Sequence, residues 1–128
     1  IKVSRRGLLK EALLATGFAC VRANLEDNNL KYFARVLPAI RCIRRCGSAA
    51  LDLCYVACGR FDGFWELNLN LYDIAAGALI LAEAGGIAAT LAGEPVYAPG
   101  ALSRSIVAAV AAPLFEDWRQ AIAERLAA

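Results

Sequence analysis

The sequence predicts an α/β fold, a layered sandwich of mixed sheet and helices, and three observations carry that prediction. Apolar runs of strand length alternate with stretches whose apolar residues recur every three or four positions. Gly59, Gly85-Gly86 and Pro113 punctuate the joints between them. At 128 residues and 59% hydrophobic content, the chain can bury one sizeable core and makes one domain at most.

Each element has its own signal. Gly7–Ala15 reads as a short apolar strand ending at Gly17, and Leu25–Pro38 as a helix with Leu30, Phe33, Val36 and Leu37 at helical spacing. Ala39–Arg45 alternates like a strand. Gly47-Ser48 then opens a helix through Ala57, with Gly59 as its carboxyl-terminal cap. Phe61–Leu67 reads as a strand with Gly63 at a turn or close approach, and Asp73–Ala84 as a buried helix stopped by Gly85-Gly86. Gly93, Pro95, Pro99 and Gly100 mark a loop. Ser105–Ala111 is a buried strand, and Pro113 starts the last helix, where Trp118, Ile122 and Leu126 fall four apart on one face. No internal repeat or low-complexity tract interrupts this order.

Charge and cysteine usage exclude several classes of function. A net charge of +2 with 20% charged residues gives no polyelectrolyte signal for nucleic acid or anionic membrane. The longest uncharged apolar runs, Ile74–Ala82 and Ile106–Phe115, fall short of the roughly 20 residues a spanning helix needs. No charged-then-apolar signal peptide opens the chain. Five cysteines without a CxxC pair argue against a secreted disulfide framework and for the cytoplasm. The pairs Cys42/Cys46 and Cys54/Cys58 offer too few ligands for zinc in a chain without histidine, and read as small buried hydrophobes. The mean hydropathy of +0.49 is high, which suggests that other polypeptide covers much of the surface.

The stretch from Cys42 to Gly86 sets two acidic residues, Glu66 and Asp73, among apolar segments. Each is expected where a strand or loop gives way to a helix and backbone N–H groups point outward. From the residues alone, Asp73 reads as a helix N-cap worth about 1 kcal/mol or as a ligand, and Glu66 as a strand-end surface charge or a ligand-binding acceptor. Gly47, Ser48 and Ala49 read as a helix entry with Ser48 as cap, or as a place of close approach. Arg44 and Arg45 suit phosphate, substrate or an ion pair at a subunit interface. Asp52 and Glu83 suit pairing with an arginine or a neighbouring helix more than chemistry.

The run GSAALDLCYVACGRFDGFWE, followed by YDIAAG and EAGG, resembles the carboxyl-terminal half of the inositol monophosphatases. The family pattern is Trp-Asp-x-Ala-Ala-Gly, an apolar spacer, then Glu-Ala-Gly-Gly; here it is met by Tyr72 to Gly77 and Glu83 to Gly86, with Tyr72 in place of Trp. The resemblance runs from Leu13–Gly17 to Ser103–Ala109. The family's Gly-Glu and Asp-Pro-(Ile/Leu)-Asp-Gly-Thr motifs do not occur ahead of this stretch in the sequence, which begins at Ile1 without any Met. Residues 1–128 are therefore expected to be the carboxyl-terminal α/β domain, the amino-terminal metal-binding half lying elsewhere.

The resemblance implies a Mg²⁺-dependent phosphatase that hydrolyses a small polyol phosphate monoester such as myo-inositol monophosphate. Asp73 would be a metal ligand, Glu66 would bind substrate hydroxyls, and Gly47, Ser48 and Ala49 would line the substrate site. No other catalytic residue is expected in this segment, since the groups that activate water belong to the amino-terminal half. A homodimer is implied too. The alternatives are the same fold acting on histidinol phosphate, fructose bisphosphate or a 3′-phosphoadenosine nucleotide, or a non-catalytic binding role, since some bacterial relatives act on transcription complexes.

Overall fold

The computed structural model describes residues 1–18, 24, 26, 29–91, 93–96 and 103–127. The strands are β1 (Leu13–Thr16), β2 (Cys42–Arg44), β3 (Gly63–Asn70), β4 (Ile87–Ala89) and β5 (Ser103–Ala109). The helices are α1 (Leu30–Val36), α2 (Ala49–Ala57), α3 (Leu71–Glu83) and α4 (Ala112–Ala127). One sheet carries the strands in the order β2-β1-β3-β5-β4. β1 pairs in parallel with both β2 and β3, while β5 runs antiparallel to β3 and β4. The sheet is therefore mixed, and the α/β class expected from the sequence is observed.

Parallel neighbours require a crossover, and the two crossovers beside β1 place their helices in different layers. α2 and α3 pack on each other over one face of the sheet, burying Leu53, Val56, Ile74, Ala78 and Leu81 with Phe64 and Ile106. α1 and α4 cover the opposite face, where Tyr32, Val36, Phe115 and Trp118 enclose Leu14, Trp65 and Leu67. β3 is buried on both sides, which explains why GFWEL reads as a nearly continuous apolar run rather than an alternating one. Gly63 is a close approach, as expected: a Cβ there would press on Trp118, the Ala108 carbonyl and Leu14.

Both central helices end in Schellman motifs. Gly59, at φ +82, donates to the Val56 carbonyl while Arg60 N–H reaches Tyr55; Gly85, at φ +93, donates to Ala82 while Gly86 N–H reaches Leu81. Glycine takes this left-handed backbone at little cost and so stops each helix where the sequence predicts.

Several boundaries differ from expectation, among them β2, at Cys42–Arg44 rather than 39–45, and β3, at Gly63–Asn70 rather than 61–67. A 3₁₀ turn at Leu9–Glu11 delays β1 to Leu13. The helix expected over Leu25–Pro38 is described as α1 followed by a 3₁₀ turn at Leu37–Ala39, because Pro38 has no N–H to extend the α ladder; residues 25, 27 and 28 lie outside the described residues. β5 occupies Ser103–Ala109 rather than 105–111, and α4 starts one residue before Pro113. β4 was not anticipated at all. Its three residues are too few for a period, and it exists because β5 offers them an antiparallel edge. Gly93 and Pro95 lie in the turn after β4, closed by the Thr90 and Glu94 backbones, while Pro99, Gly100 and the Ile122 and Leu126 side chains lie outside the described residues.

Candidate functional site

A cleft of about 350 Å³ opens beyond the carboxyl end of β1 and is lined by Thr16, Gly17, Arg45, Gly47, Ser48, Ala49, Ala50, Asp52, Glu66, Leu69, Tyr72 and Asp73. β1 is the strand from which one crossover departs to β2, and over which the next returns to β3. Such a reversal leaves a crevice between loops at the strand ends, the usual ligand position in open α/β sheets. The residues that the resemblance assigns to metal or substrate, namely Gly47, Ser48, Ala49, Glu66 and Asp73, all line this one cleft.

Asp73 enters from α3. Its expected place as N-cap is corrected: the helix starts at Leu71 with Asn70 as N-cap, and Asp73 occupies the third helical position. From there its Oδ2 accepts the Asn70 backbone N–H at 2.9 Å, the reach-back half of a capping box. The Asn70 amide donates to the Tyr72 hydroxyl at 2.7 Å. Tyr72 itself is 83% exposed, so the aromatic at this position packs against no core and stands at the cleft mouth.

Glu66 is also placed differently from expectation. It lies inside β3, 7% exposed, rather than at a strand end. Gly17 makes room for it: a Cβ at that position would collide with the Glu66 carboxylate. After Glu66 the ladder slips, with Glu66 opposite Ile106 but Leu69 opposite Arg104, so Leu67 and Asn68 together face a single residue. Asn68, within this bulge, takes the left-handed conformation, at φ 62. The extra residue resets the alternation, and Glu66 and Leu69 come to line the same cleft although three positions apart.

Behind this wall lies a connected set of buried hydrogen bonds. The Thr16 hydroxyl donates to the Trp65 carbonyl at 2.7 Å, the Asn29 amide to Thr16 Oγ1 at 2.8 Å and to the Gly17 carbonyl at 2.7 Å, and the Trp65 indole to Asn29 Oδ1 at 2.6 Å. They fix the end of β1 against β3 and so set the Gly17–Glu66 contact. Sequence reasoning had no signal for Asn29, whose partners are far along the chain.

Ser48 caps α2, its Oγ accepting the Leu51 N–H at 3.3 Å, as its residue type suggests. Of the two arginines, Arg45 faces the cleft, whereas Arg44 folds back to donate to Cys42 Sγ at 2.9 Å and the Ile43 carbonyl at 3.0 Å. That hydrogen bond draws the Cys42 thiol pKa down. Cys42, Cys46, Cys54 and Cys58 are free thiols. Among the described residues no three His, Cys, Asp or Glu side chains are grouped to hold a metal. Asp52, expected to pair or face a helix, lines the cleft at 1% exposure; burial pushes its carboxyl up to about 6, against the Cys46 thiol and the Arg45 charge, which pull it down.

The profile of the Inositol monophosphatase family matches residues 1–128. The chain belongs to the inositol monophosphatase family. An inositol-1-monophosphatase from Synechocystis sp. is 41% identical over 123 residues, 96% of this chain and 42% of that protein. A putative Nus factor SuhB from Neisseria meningitidis serogroup B is 50% identical over 94 residues, 73% of this chain and 36% of that protein. Among solved structures, an inositol monophosphatase from Anabaena (Nostoc) sp. superposes with a TM-score of 0.87 at 37% identity, covering 97% of this chain and 48% of that one. The chain thus spans less than half the length of each of these relatives.

Proposed function

We propose that the chain is the carboxyl-terminal α/β domain of a Mg²⁺-dependent phosphatase that hydrolyses a small polyol phosphate monoester such as myo-inositol monophosphate. The observation that supports this reading most is convergence: Glu66, Asp73 and the Gly47–Ala49 helix entry, drawn from three elements, line one cleft.

The donor chemistry of Asp73 fits magnesium, a hard cation that takes carboxylate oxygens. With the capping box holding its Oδ2, the carboxylate is fixed in orientation on the cleft wall. As no three metal-ligating side chains are grouped among the described residues, the remaining ligands would come from the amino-terminal half of the whole protein. When bound, Mg²⁺ would offset phosphate charge and acidify a water.

The remaining roles belong to this chain's own groups. Ser48 Oγ takes the Leu51 N–H, while the first-turn N–H groups of Ala49 and Ala50 have no acceptor within the helix and suit an anionic or hydroxyl oxygen. Arg45 adds positive charge beside them. Glu66, an acceptor when ionised, suits the hydroxyl side of a polyol rather than its phosphate. Exposed Leu51, Leu79 and Ile80 give α2 and α3 apolar surface for the amino-terminal half and for the second subunit of a homodimer to cover. No helix among the described residues is long and apolar enough to cross a membrane. Separately, cysteines without the pattern of a disulfide framework suit a cytoplasmic enzyme.

The deciding experiment is phosphate release by the whole protein across a magnesium titration. Myo-inositol 1-phosphate would be compared with histidinol phosphate, fructose 1,6-bisphosphate and 3′-phosphoadenosine 5′-phosphate. The reading expects magnesium-dependent turnover with the highest kcat/KM on the inositol ester. Preference for another ester would move the substrate and keep the chemistry. A whole protein inactive on all four would favour the non-catalytic role that the name of the Neisseria relative suggests.

A further inference from the structure

Asp52 lies in the first turn of α2 on its buried face, beside Leu53 and one turn before Val56. It is 1% exposed and lines the cleft, yet its Oδ1 has no hydrogen-bond partner among the described residues. A buried polar atom left unpaired costs about 1–3 kcal/mol, and an apolar side chain of similar size would spare the fold that cost. The group is therefore poorly explained as packing. The Cys46 thiol, which hydrogen-bonds the carboxyl, and the Arg45 charge moderate the burial, while the Oδ1 atom itself stays unpaired.

We propose that Asp52 is a further specificity-determining residue, whose Oδ1 accepts a hydrogen bond from a hydroxyl of the alcohol portion of the bound phosphate monoester. This rests on the phosphatase reading above. An oxygen acceptor repels phosphate but matches a hydroxyl, and the cleft already carries a second carboxylate, Glu66, on β3. Two carboxyl acceptors on separate elements suit an alcohol with several hydroxyls more than one with a single apolar group. A ligand hydroxyl would also relieve the desolvation that holds this carboxyl near 6.

The test uses the whole protein with Asp52→Leu, Asp52→Ala and Asp52→Asn, assayed on myo-inositol 1-phosphate and on p-nitrophenyl phosphate, whose alcohol portion has no further hydroxyl. In the Leu and Ala variants the ratio of kcat/KM between the two esters should fall about tenfold, chiefly through KM of the polyol ester, the scale of one lost hydrogen bond to a charged group. The melting temperature of Asp52→Leu should not fall. Asp52→Asn keeps a carbonyl oxygen and should restore most of the ratio. An unchanged ratio, equal losses on both esters with a lower melting temperature, or failure of both the Leu and Ala variants to fold would overturn the proposal while leaving the phosphatase reading intact. A wild-type protein inactive on both esters would overturn the two together.

Discussion

On the proposed reading, Asp73 combines two duties in one carboxylate. Its Oδ2 closes the capping box with Asn70, which any acceptor oxygen can do, whereas metal ligation needs the negative charge. Asp73→Asn should therefore leave the melting temperature nearly unchanged while kcat falls by orders of magnitude and the magnesium requirement rises; steady-state rates across a magnesium titration, with a thermal melt, check both halves. Asp52 carries a different signature. Its folded pKa is raised by burial from 3.8 to about 6, so the native state binds the proton more tightly than the unfolded chain. Stability on this account falls as pH rises from about 4 to 6 and then levels. Asp52→Asn should thus gain stability over wild type across that window, by at most about 3 kcal/mol above pH 6, with no gain at pH 4; melts of both proteins at several pH values measure it. Asp73 and Glu66 were legible because their motif places them. Asp52 was not, since nothing in ALDL tells which face of α2 the sheet covers.

At the scale of elements, the bulge in β3 does what no single side chain could. Asn68 at φ 62 supplies the left-handed residue that lets Leu69 join the Phe64 face. A β-branched side chain meets steric strain there. Asn68→Val should cost about 1–2 kcal/mol and weaken polyol ester turnover, whereas Asn68→Gly should do neither; denaturant melts and kcat/KM for the three proteins test the contrast. Helices α2 and α3 were readable from Ser48, Gly59 and Gly85, because caps are local chemistry. The bulge and β4 were not readable, because both are imposed by pairing with β5, distant along the chain.

At the scale of the molecule, the α/β class was legible from alternating patterns, while the strand order that opens the cleft beside β1 depends on pairings between distant segments. The sheet keeps the two core layers apart. The cleft is walled by α2, α3 and the ends of β1 and β3, whereas Trp118 sits fully buried in the other layer, edge-to-face with Trp65 at 5.9 Å between ring centres. Trp118→Leu should therefore lower stability by roughly 2–4 kcal/mol yet leave the preference between polyol and aryl esters unchanged; a melt and two kcat/KM values decide it. A partition of this kind divides the labour of adaptation. Substitutions accumulated behind the sheet, around Phe33, Ile40 and Ile43, can raise thermal tolerance without retuning the site. On the proposed reading, the layer in front remains free to explore new alcohols, drawing on the margin stored behind it.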